Sequence, residues 1–402
     1  MNAQPNETKI QIFAKADASM HDDNTSRLFS LDAVRGLIIV LMALDHANHF
    51  VAHQHSSGEY WGGPPLPVYN SILAFFTRFV THPAAPGFFF LMGTGILLFA
   101  DSRQKQGWSK LAIVRHFLIR GGLLMALQLL VANRAWELHP GGFSGFYIGV
   151  LFALGGSMII GSLLLWLKPK LLGILTVALF LGMAYQIQTL VGMNWLNLAW
   201  ELPNLMLTYP GGPMDGSVWS NYPILPWLGL VLFGIIFGYW LVENRKRAFN
   251  RALKLGIGFV IVFLMIRLIN WQYSSFFYFS IRPVPINNWI DFLNVVKYPP
   301  SITFTLMTMG ILLILLNLMS RSGEKMKRIL QPLIVFGRVP LFFYVGHLFL
   351  YAIIGLLLTP NGTSILLMYP LWILGLVILY PLCLWYGHLK KRHPNNVILR
   401  FL

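Results

Sequence analysis

Ten apolar stretches recur along this chain and constrain its fold more than any other feature. A helix of about 20 apolar residues crosses the hydrocarbon core of a bilayer, and most of these stretches have about that length. The composition agrees, because 56% of the residues are hydrophobic and only 11% are charged. We therefore expect an all-α polytopic membrane protein. The predicted spans are 33–53, 70–100, 111–131, 144–167, 171–191, 222–242, 253–273, 301–320, 339–358 and 366–387.

The charged residues predict how these spans are oriented. The chain has 30 Lys and Arg residues against 14 Asp and Glu residues, a net charge of +16. Most of the basic residues fall in alternate loops and at the two ends of the chain, and loops rich in Lys and Arg face the cytoplasm. Both termini are thus expected in the cytoplasm, which requires an even number of spans. The basic charge then reports membrane topology, and no nucleic-acid partner is expected.

The chain is expected to form one membrane domain over residues 27–402, preceded by a flexible cytoplasmic tail at 1–26. The tail is polar and has no apolar core followed by a cleavage site, so no signal peptide is expected. The single cysteine, Cys383, excludes an intramolecular disulfide. The expected location is the cytoplasmic (inner) membrane, with a homodimer as an option.

The first span carries ionisable residues at membrane depth, where they are costly and typically functional. Arg35 stands near its start, and Asp45 and His46 lie deep inside it. Arg35 and His46 are 11 positions apart, which returns to within about 20° of the same helix face after a rise of roughly 16 Å. One face therefore offers a cation near the membrane surface and an imidazole inside. This arrangement suits a substrate with an anionic head and a reactive group at the end of a long arm.

A histidine such as His46 could act as a general base, because imidazole titrates near neutral pH and a carboxylate can orient it. His46, His49 and His53 share a helix face, so a zinc site and a purely structural polar cluster are the alternatives. No metal is expected. Adjacent residues do not face each other on a helix, and Asp45 is therefore expected to support His49 or a group on another helix.

Further candidates lie in later spans. His82 precedes Pro83 and Pro86 in the second span, where the prolines are expected to break the helix. Arg338 and His347 repeat in the ninth span the pattern of a cation at the surface and an imidazole deeper. Two helices running the same way with this pattern could frame one channel. The remaining candidates are contacts for an acceptor substrate: Arg267, Asn270, Trp227, Lys297 and Tyr298.

With these motifs, the chain resembles the heparan-α-glucosaminide N-acetyltransferase-like family of transmembrane acyltransferases, which are related to acyltransferase-3 proteins. The resemblance covers residues from about 27 to the C-terminus. It rests on several motifs in order: Arg27-Leu-Phe-Ser-Leu-Asp-Ala-Val-Arg35-Gly, Leu44-Asp-His46, Thr81-His-Pro-Ala-Ala-Pro-Gly87, Tyr222-Pro-Ile-Leu-Pro-Trp-Leu-Gly229, Lys297-Tyr-Pro-Pro-Ser301 and Phe336-Gly-Arg-Val-Pro-Leu-Phe-Phe-Tyr344.

The resemblance implies transfer of an acyl group, often acetyl from acetyl-CoA, from the cytoplasm to a sugar or glycoconjugate acceptor at the outer face. Acyl-CoA would then be the co-substrate, and its anionic head would lie near four arginines: Arg35, Arg338, Arg115 and Arg120. The catalytic side chains would be drawn from His46, Asp45, His82 and His347.

The chain departs from the family at two places. In the heparan enzyme the catalytic histidine lies further along than His46, and His53 and His55 come closest to that position. An acidic residue is expected at 221, where this chain has Asn. The competing class is a transporter of a small sugar-like or anionic solute, which would also need broken helices and buried charges. The lack of an internal repeat counts modestly against that class.

Overall fold

A computed structural model of the chain is built almost entirely of helices. It describes residues 29–55, 59, 67–69, 71–139, 145–190, 206–207, 217–272, 288–393, 396 and 399, with no side chains described at 183–190. The predicted tail at 1–26 lies outside the described residues.

The helices follow the apolar stretches of the sequence. Two of them are extended by π-helical turns, α1 by Asn48–Ala52 and α4 by Gln128–Ala132. In chain order they are α1 (29–47), α2 (Ile72–Phe79), α3 (Ala84–Lys105), α4 (Lys110–Leu127), α5 (Asn133–Glu137), α6 (Val150–Leu164), α7 (Pro169–Leu190), α8 (Ile224–Glu243), α9 (Arg245–Gln272), α10 (Trp289–Leu293), α11 (Ile302–Ser320), α12 (Glu324–Ile329), α13 (Gln331–Arg338), α14 (Pro340–Leu358) and α15 (Ile365–Arg392).

Seven helical segments in the described ranges are long and apolar enough to cross a membrane. They confirm an all-α polytopic membrane protein. Three further helices, α1, α6 and α7, coincide with the other predicted spans. The count of ten spans and the cytoplasmic position of both termini stay predictions.

The second predicted span is interrupted, as its prolines indicated. α2 ends at Phe79, residues 80–83 form turns, and α3 begins at Ala84. Pro83 occupies the cap position of α3, and Pro86 lies in its first turn, where the missing N–H leaves no hydrogen bond unmade. The interruption gives Arg78 and His82 a position between two helix ends.

One predicted span is not helical throughout. Residues Phe146–Ile148, inside the predicted span 144–167, form strand β1, which pairs in parallel with strand β2 at Val218–Ser220. Gly149 then adopts an extended conformation before α6 begins at Val150. The backbone groups of β1 are satisfied by β2 rather than by a helix turn, and apolar content alone does not distinguish the two.

The helices pack around a continuous apolar core. α3 packs along α8, α9 along α11, and α4 along α6. The core includes Phe89 and Trp227, whose stacked rings have centroids 5.0 Å apart, and both side chains are fully buried. The large apolar side chains that remain exposed are concentrated on α7, α9 and α15, as expected for helices that face lipid.

Candidate active site

The site is organised around α1 and α14, which run side by side in the same direction. At one end, a Cβ atom on Gly36 would lie 1.8 Å from the carbonyl oxygen of Leu333 in α13, the short helix that leads into α14. At the other end, a Cβ atom on Gly355 would lie 2.0 Å from the carbonyl oxygen of Phe50. Only glycine permits these approaches. The first and ninth predicted spans therefore lie against each other with their cations at the same end.

Asp32 holds the two arginines of this end together. Its carboxylate lies 2.9 Å from a terminal nitrogen of Arg35 and 3.4 Å from Nε of Arg338. The same nitrogen of Arg35 donates a hydrogen bond of 3.1 Å to the carbonyl oxygen of Gly337. Arg338 is exposed and Arg35 is half-buried. The pair therefore keeps donor groups available to an anion from outside.

A cavity of about 350 Å³ begins at these arginines and extends between the helices. Two further cations, Arg120 and Lys390, line the same cavity. Its remaining walls are apolar apart from Tyr344: Phe88, Leu91, Met92, Gly95, Ile96, Phe99, Phe117, Leu124, Val150, Leu151, Leu154, Met158, Pro340, Leu341 and Tyr344. An anionic head group and a long apolar arm match this lining.

The fourth predicted arginine lies apart from this cavity. Arg115 is exposed on α4 and lines a separate shallow depression with Trp108 and His116. Arg120, five positions later, lines the cavity and is half-buried. Three of the four predicted arginines are thus brought together, and Arg115 is not.

The inner end of the cavity leads to a pair of histidines. Tyr344 lines the cavity and contacts the ring of His347 edge-on, with centroids 5.5 Å apart. Nε2 of His347 lies 2.6 Å from Nδ1 of His46, and the two rings are nearly parallel. His347 is fully buried, whereas His46 is half-buried. The structure therefore brings together the two imidazoles that the sequence placed on separate spans.

Other histidines surround the π-helical turn that follows His46. His49 stacks on His139, with ring centroids 4.3 Å apart, and His53 lies 4.5 Å from the same ring. Trp136 on α5 contacts both His46 and His49. π-helical turns of this kind are frequent at functional sites. Across the described residues, no group of three His, Cys, Asp or Glu side chains is arranged to hold a metal ion.

Asp45 contacts groups on another helix, one of the two interpretations that its position allowed. It forms an ion pair with Arg78 at the end of α2 and accepts a hydrogen bond of 3.0 Å from the Thr81 hydroxyl. Its second oxygen lies 3.4 Å from Nε2 of His55. His55 is one of the two histidines nearest the position of the catalytic histidine in the resembled family. Asp45 therefore orients His55 and does not contact His46.

Arg78 and Glu59 form the most deeply buried ion pair of the site, each side chain being 1% exposed. Two guanidinium nitrogens of Arg78 bond the two carboxylate oxygens of Glu59, one of them at 2.8 Å. Glu59 lies in the loop after α1. Burial alone would raise the pKa of its carboxyl, but the adjacent Arg78 outweighs this, and the pKa falls to about 2. The pair stays charged at neutral pH.

His82 belongs to this buried cluster and not to the histidine pair. Its Nε2 lies 3.7 Å from the Glu59 carboxylate, and its ring packs against Phe79 and Phe304. Its Nδ1 is buried and has no hydrogen-bond partner among the described residues. His82, a predicted catalytic candidate, therefore lies beside Glu59 and not beside His46 and His347.

Aromatic side chains continue from this cluster. The backbone N–H groups of Lys297 and Tyr298 donate to the carbonyl oxygen of Glu59, each at 3.1 Å. The hydroxyls of Tyr298 and Tyr222 lie 3.2 Å apart, and the Tyr222 ring contacts Trp227. Nε1 of Trp227 is buried without a hydrogen-bond partner in the described part of the chain. Three predicted acceptor contacts thus lie together.

The other two predicted acceptor contacts lie on α9. Nε of Arg267 donates to the carbonyl oxygen of Phe292 at 2.6 Å, and its guanidinium also bonds the carbonyl of Asp291. These bonds attach α10 to α9. Asn270, one turn further along α9, is also buried. Neither residue lines the cavity that reaches the histidine pair.

Three residues of the site, Glu59, Arg78 and Lys390, were not singled out from the sequence. Glu59 is the only acidic residue between Asp45 and Asp101, and an arginine at membrane depth such as Arg78 requires a carboxylate partner. This charge balance could have identified Glu59. Lys390 gave no comparable signal, because basic residues are common at the cytoplasmic ends of spans.

At position 221 the structure gives Asn a local role. Its side-chain oxygen accepts a hydrogen bond of 2.6 Å from Nε1 of Trp219, and its backbone N–H donates to Ile148. Asn221 therefore stabilises the region where β1 and β2 meet, next to the start of α8.

Comparison with known proteins identifies the family of this chain. The family model described as heparan-alpha-glucosaminide N-acetyltransferase, catalytic, matches residues 27–268, more than half of the 402-residue chain. The motifs at 297–301 and 336–344 lie beyond the matched range. No curated protein matches the chain. By the extent of the family match, this chain belongs to the heparan-alpha-glucosaminide N-acetyltransferase catalytic family of transmembrane acetyltransferases.

Proposed function

We propose that this protein transfers an acetyl group from cytoplasmic acetyl-CoA to a hydroxyl or amine of a sugar or glycoconjugate at the outer face of the cytoplasmic membrane. The observation that carries the proposal is the cavity between Arg35 and Tyr344. It has four cations at one end, an apolar interior and a hydrogen-bonded histidine pair beyond its inner end. This order of groups matches the order of phosphates, pantetheine arm and thioester in acyl-CoA.

The cations would bind the donor head group. A guanidinium makes bidentate, charge-assisted hydrogen bonds with phosphate oxygens, and Arg35, Arg338 and Arg120 offer three of them beside Lys390. Arg35, Arg338 and Lys390 lie near helix ends that the distribution of basic residues assigns to the cytoplasm, whereas Arg120 lies further along α4. The proposed direction of transfer, from the cytoplasm outward, follows from this assignment.

His46 would act as the general base. The acceptor N–H or O–H gives its proton to His46, and the acceptor atom forms a bond to the thioester carbonyl carbon. The C–S bond then breaks, and the leaving thiolate of CoA takes the proton from His46. The products are the acetylated acceptor and free CoA, so the step needs no metal and no further reactant.

His55 is the alternative base. Asp45 lies 3.4 Å from its Nε2, which is the arrangement of a carboxylate that orients a catalytic imidazole. His55 also lies close to the position at which the resembled family carries its catalytic histidine. His46 is preferred because its partner His347 contacts Tyr344 of the donor cavity. His55 faces the Asp45 and Arg78 cluster.

The acceptor would reach the site past Lys297, Tyr298 and Trp227. Buried polar atoms without a partner are rare in native proteins, and Nε1 of Trp227 and Nδ1 of His82 are two such atoms in the described region. Hydroxyl or amine groups of an acceptor would satisfy them. The family match favours a glycan or amino-sugar acceptor.

The discriminating experiment uses the purified protein in liposomes with acetyl-CoA labelled in the acetyl group and glucosamine as the acceptor probe. We expect slow release of free CoA by the protein alone, faster release with glucosamine, and the label on the sugar. Flux of intact glucosamine across the membrane, with no CoA released, would instead identify a transporter. Protein-free liposomes are the control.

A further inference from the structure

A row of hydrogen-bonding groups crosses from α14 to α1. The carbonyl oxygen of Phe343 lies 2.9 Å from Nδ1 of His347, and Nε2 of His347 lies 2.6 Å from Nδ1 of His46. A neutral imidazole carries one N–H and one bare nitrogen. If the proton position on one ring is known, the hydrogen bond between the rings therefore determines which nitrogen of the other ring is protonated.

The carbonyl oxygen sets the direction of the row. It can only accept, so Nδ1 of His347 donates to it and Nε2 of His347 is bare. A bare Nε2 accepts, so Nδ1 of His46 donates. The opposite direction would place a lone pair of His347 against the carbonyl oxygen inside a fully buried environment, which leaves two polar groups unsatisfied. Nε2 of His46 is then the unprotonated atom.

Both rings are expected to be neutral. Within the described residues, no carboxylate oxygen lies within 4.0 Å of a ring nitrogen of His46 or His347. Asp45 forms its ion pairs with Arg78 and His55. An imidazolium without a counter-ion is costly at membrane depth. A neutral pair with one shared hydrogen bond satisfies the geometry without that cost.

We propose that His347 is a positioning residue that fixes the tautomer of His46 and leaves Nε2 of His46 bare to receive the acceptor proton. The inference rests on the proposed acetyl transfer. When Nε2 takes that proton, the bond from Nδ1 to His347 becomes charge-assisted and stabilises the imidazolium. His347 thereby takes the place of the carboxylate behind a catalytic histidine, without a negative charge inside the membrane.

The first test measures the tautomers directly. Full-length protein with ¹⁵N- and ¹³C-labelled histidine is studied in lipid bilayers by magic-angle-spinning spectroscopy, with His46→Gln and His347→Gln variants to assign the signals. We expect both rings to be neutral with the proton on Nδ1. A proton on Nε2 of His46, or a charged ring at either position, overturns the proposal.

The second test compares His347→Gln with His347→Leu in the acetyl-CoA and glucosamine assay. The amide oxygen of Gln can accept from Nδ1 of His46, and Leu cannot. We expect Leu to lower kcat by about 10- to 100-fold at unchanged KM for acetyl-CoA, and Gln to restore most of the loss. Equal kcat values in the two variants overturn the proposal.

The outcomes separate this inference from the proposed function. If wild-type protein transfers no acetyl group, the proposed function is wrong, whereas the tautomer measurement still tests the row of hydrogen bonds. If the protein is active and His46 carries its proton on Nε2, only the role of His347 is wrong.

Discussion

Nδ1 of His46 lies 2.6 Å from Nε2 of His347, although 301 positions separate the two residues in the chain. The contact exists because α1 and its π-helical turn lie against α13 and α14, with Gly36 at the approach to α13 and Gly355 at the approach to Phe50. The contact places two imidazoles next to Tyr344, at one end of a cavity that carries four cations at its other end.

Arg35 lines the cavity proposed to bind the head group of acetyl-CoA, and Arg115 lies outside it, so their substitution should affect acetyl-CoA binding differently. Arg35→Ala should weaken acetyl-CoA binding about ten- to a hundredfold, because a charge-assisted contact contributes about 1.5–3 kcal/mol. Arg35→Lys should also weaken it, since lysine keeps the charge but not the bidentate geometry. Isothermal titration of the purified protein with acetyl-CoA measures both. Arg115→Ala, which removes an exposed arginine outside the cavity, is the control and should bind normally. Unchanged affinity in both Arg35 variants would show that the head group binds elsewhere.

The interior of the cavity can be blocked from one position. Gly95 lines the cavity, and a Cβ atom there would meet nothing within 4 Å. Gly95→Phe should therefore fill the space without disturbing helix packing and reduce acetyl-CoA binding by about tenfold or more. Gly122→Phe is matched, because Gly122 is exposed, also has open space around it and lies outside the cavity. Equal acetyl-CoA affinity in the two variants would mean that the donor does not occupy this cavity.

The buried pair of Arg78 and Glu59 predicts a stability effect. Glu59→Gln should lower the free energy of unfolding by about 3–5 kcal/mol, because it leaves a buried arginine with one partner fewer. Glu243→Gln is the control, since its ion pair with Arg251 is exposed and contributes about 0–1 kcal/mol. Thermal unfolding followed by tryptophan fluorescence compares them. Equal losses of the free energy of unfolding in the two variants would show that the pair of Arg78 and Glu59 stabilises the fold no more than an exposed ion pair does.

The same carboxyl predicts a pH dependence. The pKa of Glu59 is about 2 in the folded protein, against about 4.3 in an unfolded chain. A lowered pKa stabilises the folded state at pH values above the unfolded pKa, and this contribution is lost as the pH falls through about 4.3 toward 2. Over this window the unfolding temperature of the wild type should fall more steeply than that of Glu59→Gln. If the unfolding temperatures of the two proteins fall in parallel with pH, Glu59 does not cause the loss of stability in acid.

The topology has its own test. In a Cys383→Ser background, a cysteine at Asn361 should react with an impermeant maleimide from outside the cell, and one at Leu402 should react only after permeabilisation. The loop after α14 faces outward if the basic residues mark the cytoplasm. Labelling of both positions from the same side would reverse or abolish the proposed direction of transfer.

Much of the fold could be predicted because each membrane span is a continuous run of apolar residues in the sequence. Apolar length identified the helices, and Pro83 with Pro86 identified the break between α2 and α3. The pairing of β1 with β2 could not be read in this way, because it joins residues about 70 positions apart. Apolar content at 146–148 suits a strand as well as a helix.

The site shows the same division. His46 and His347 have similar predicted positions on two spans, and the structure places their rings in contact. His82 was an equal candidate from the sequence, yet it lies beside Glu59, because at a helix break the local backbone geometry, and not helical periodicity, directs the side chain. Arg115 and Arg120 were both predicted to bind the head group, and their positions around and along α4 place only Arg120 at the cavity.

The proposed role of His46 as the base of acetyl transfer is tested by single-turnover kinetics of His46→Ala with labelled acetyl-CoA and glucosamine. We predict a loss of about 10²-fold or more in the transfer rate, with acetyl-CoA affinity unchanged. His388→Ala, which removes an exposed histidine of α15, should transfer at the wild-type rate. A wild-type rate in His46→Ala, with the loss appearing in His55→Ala instead, would show that His46 is not the base and would assign the reaction to His55 and Asp45.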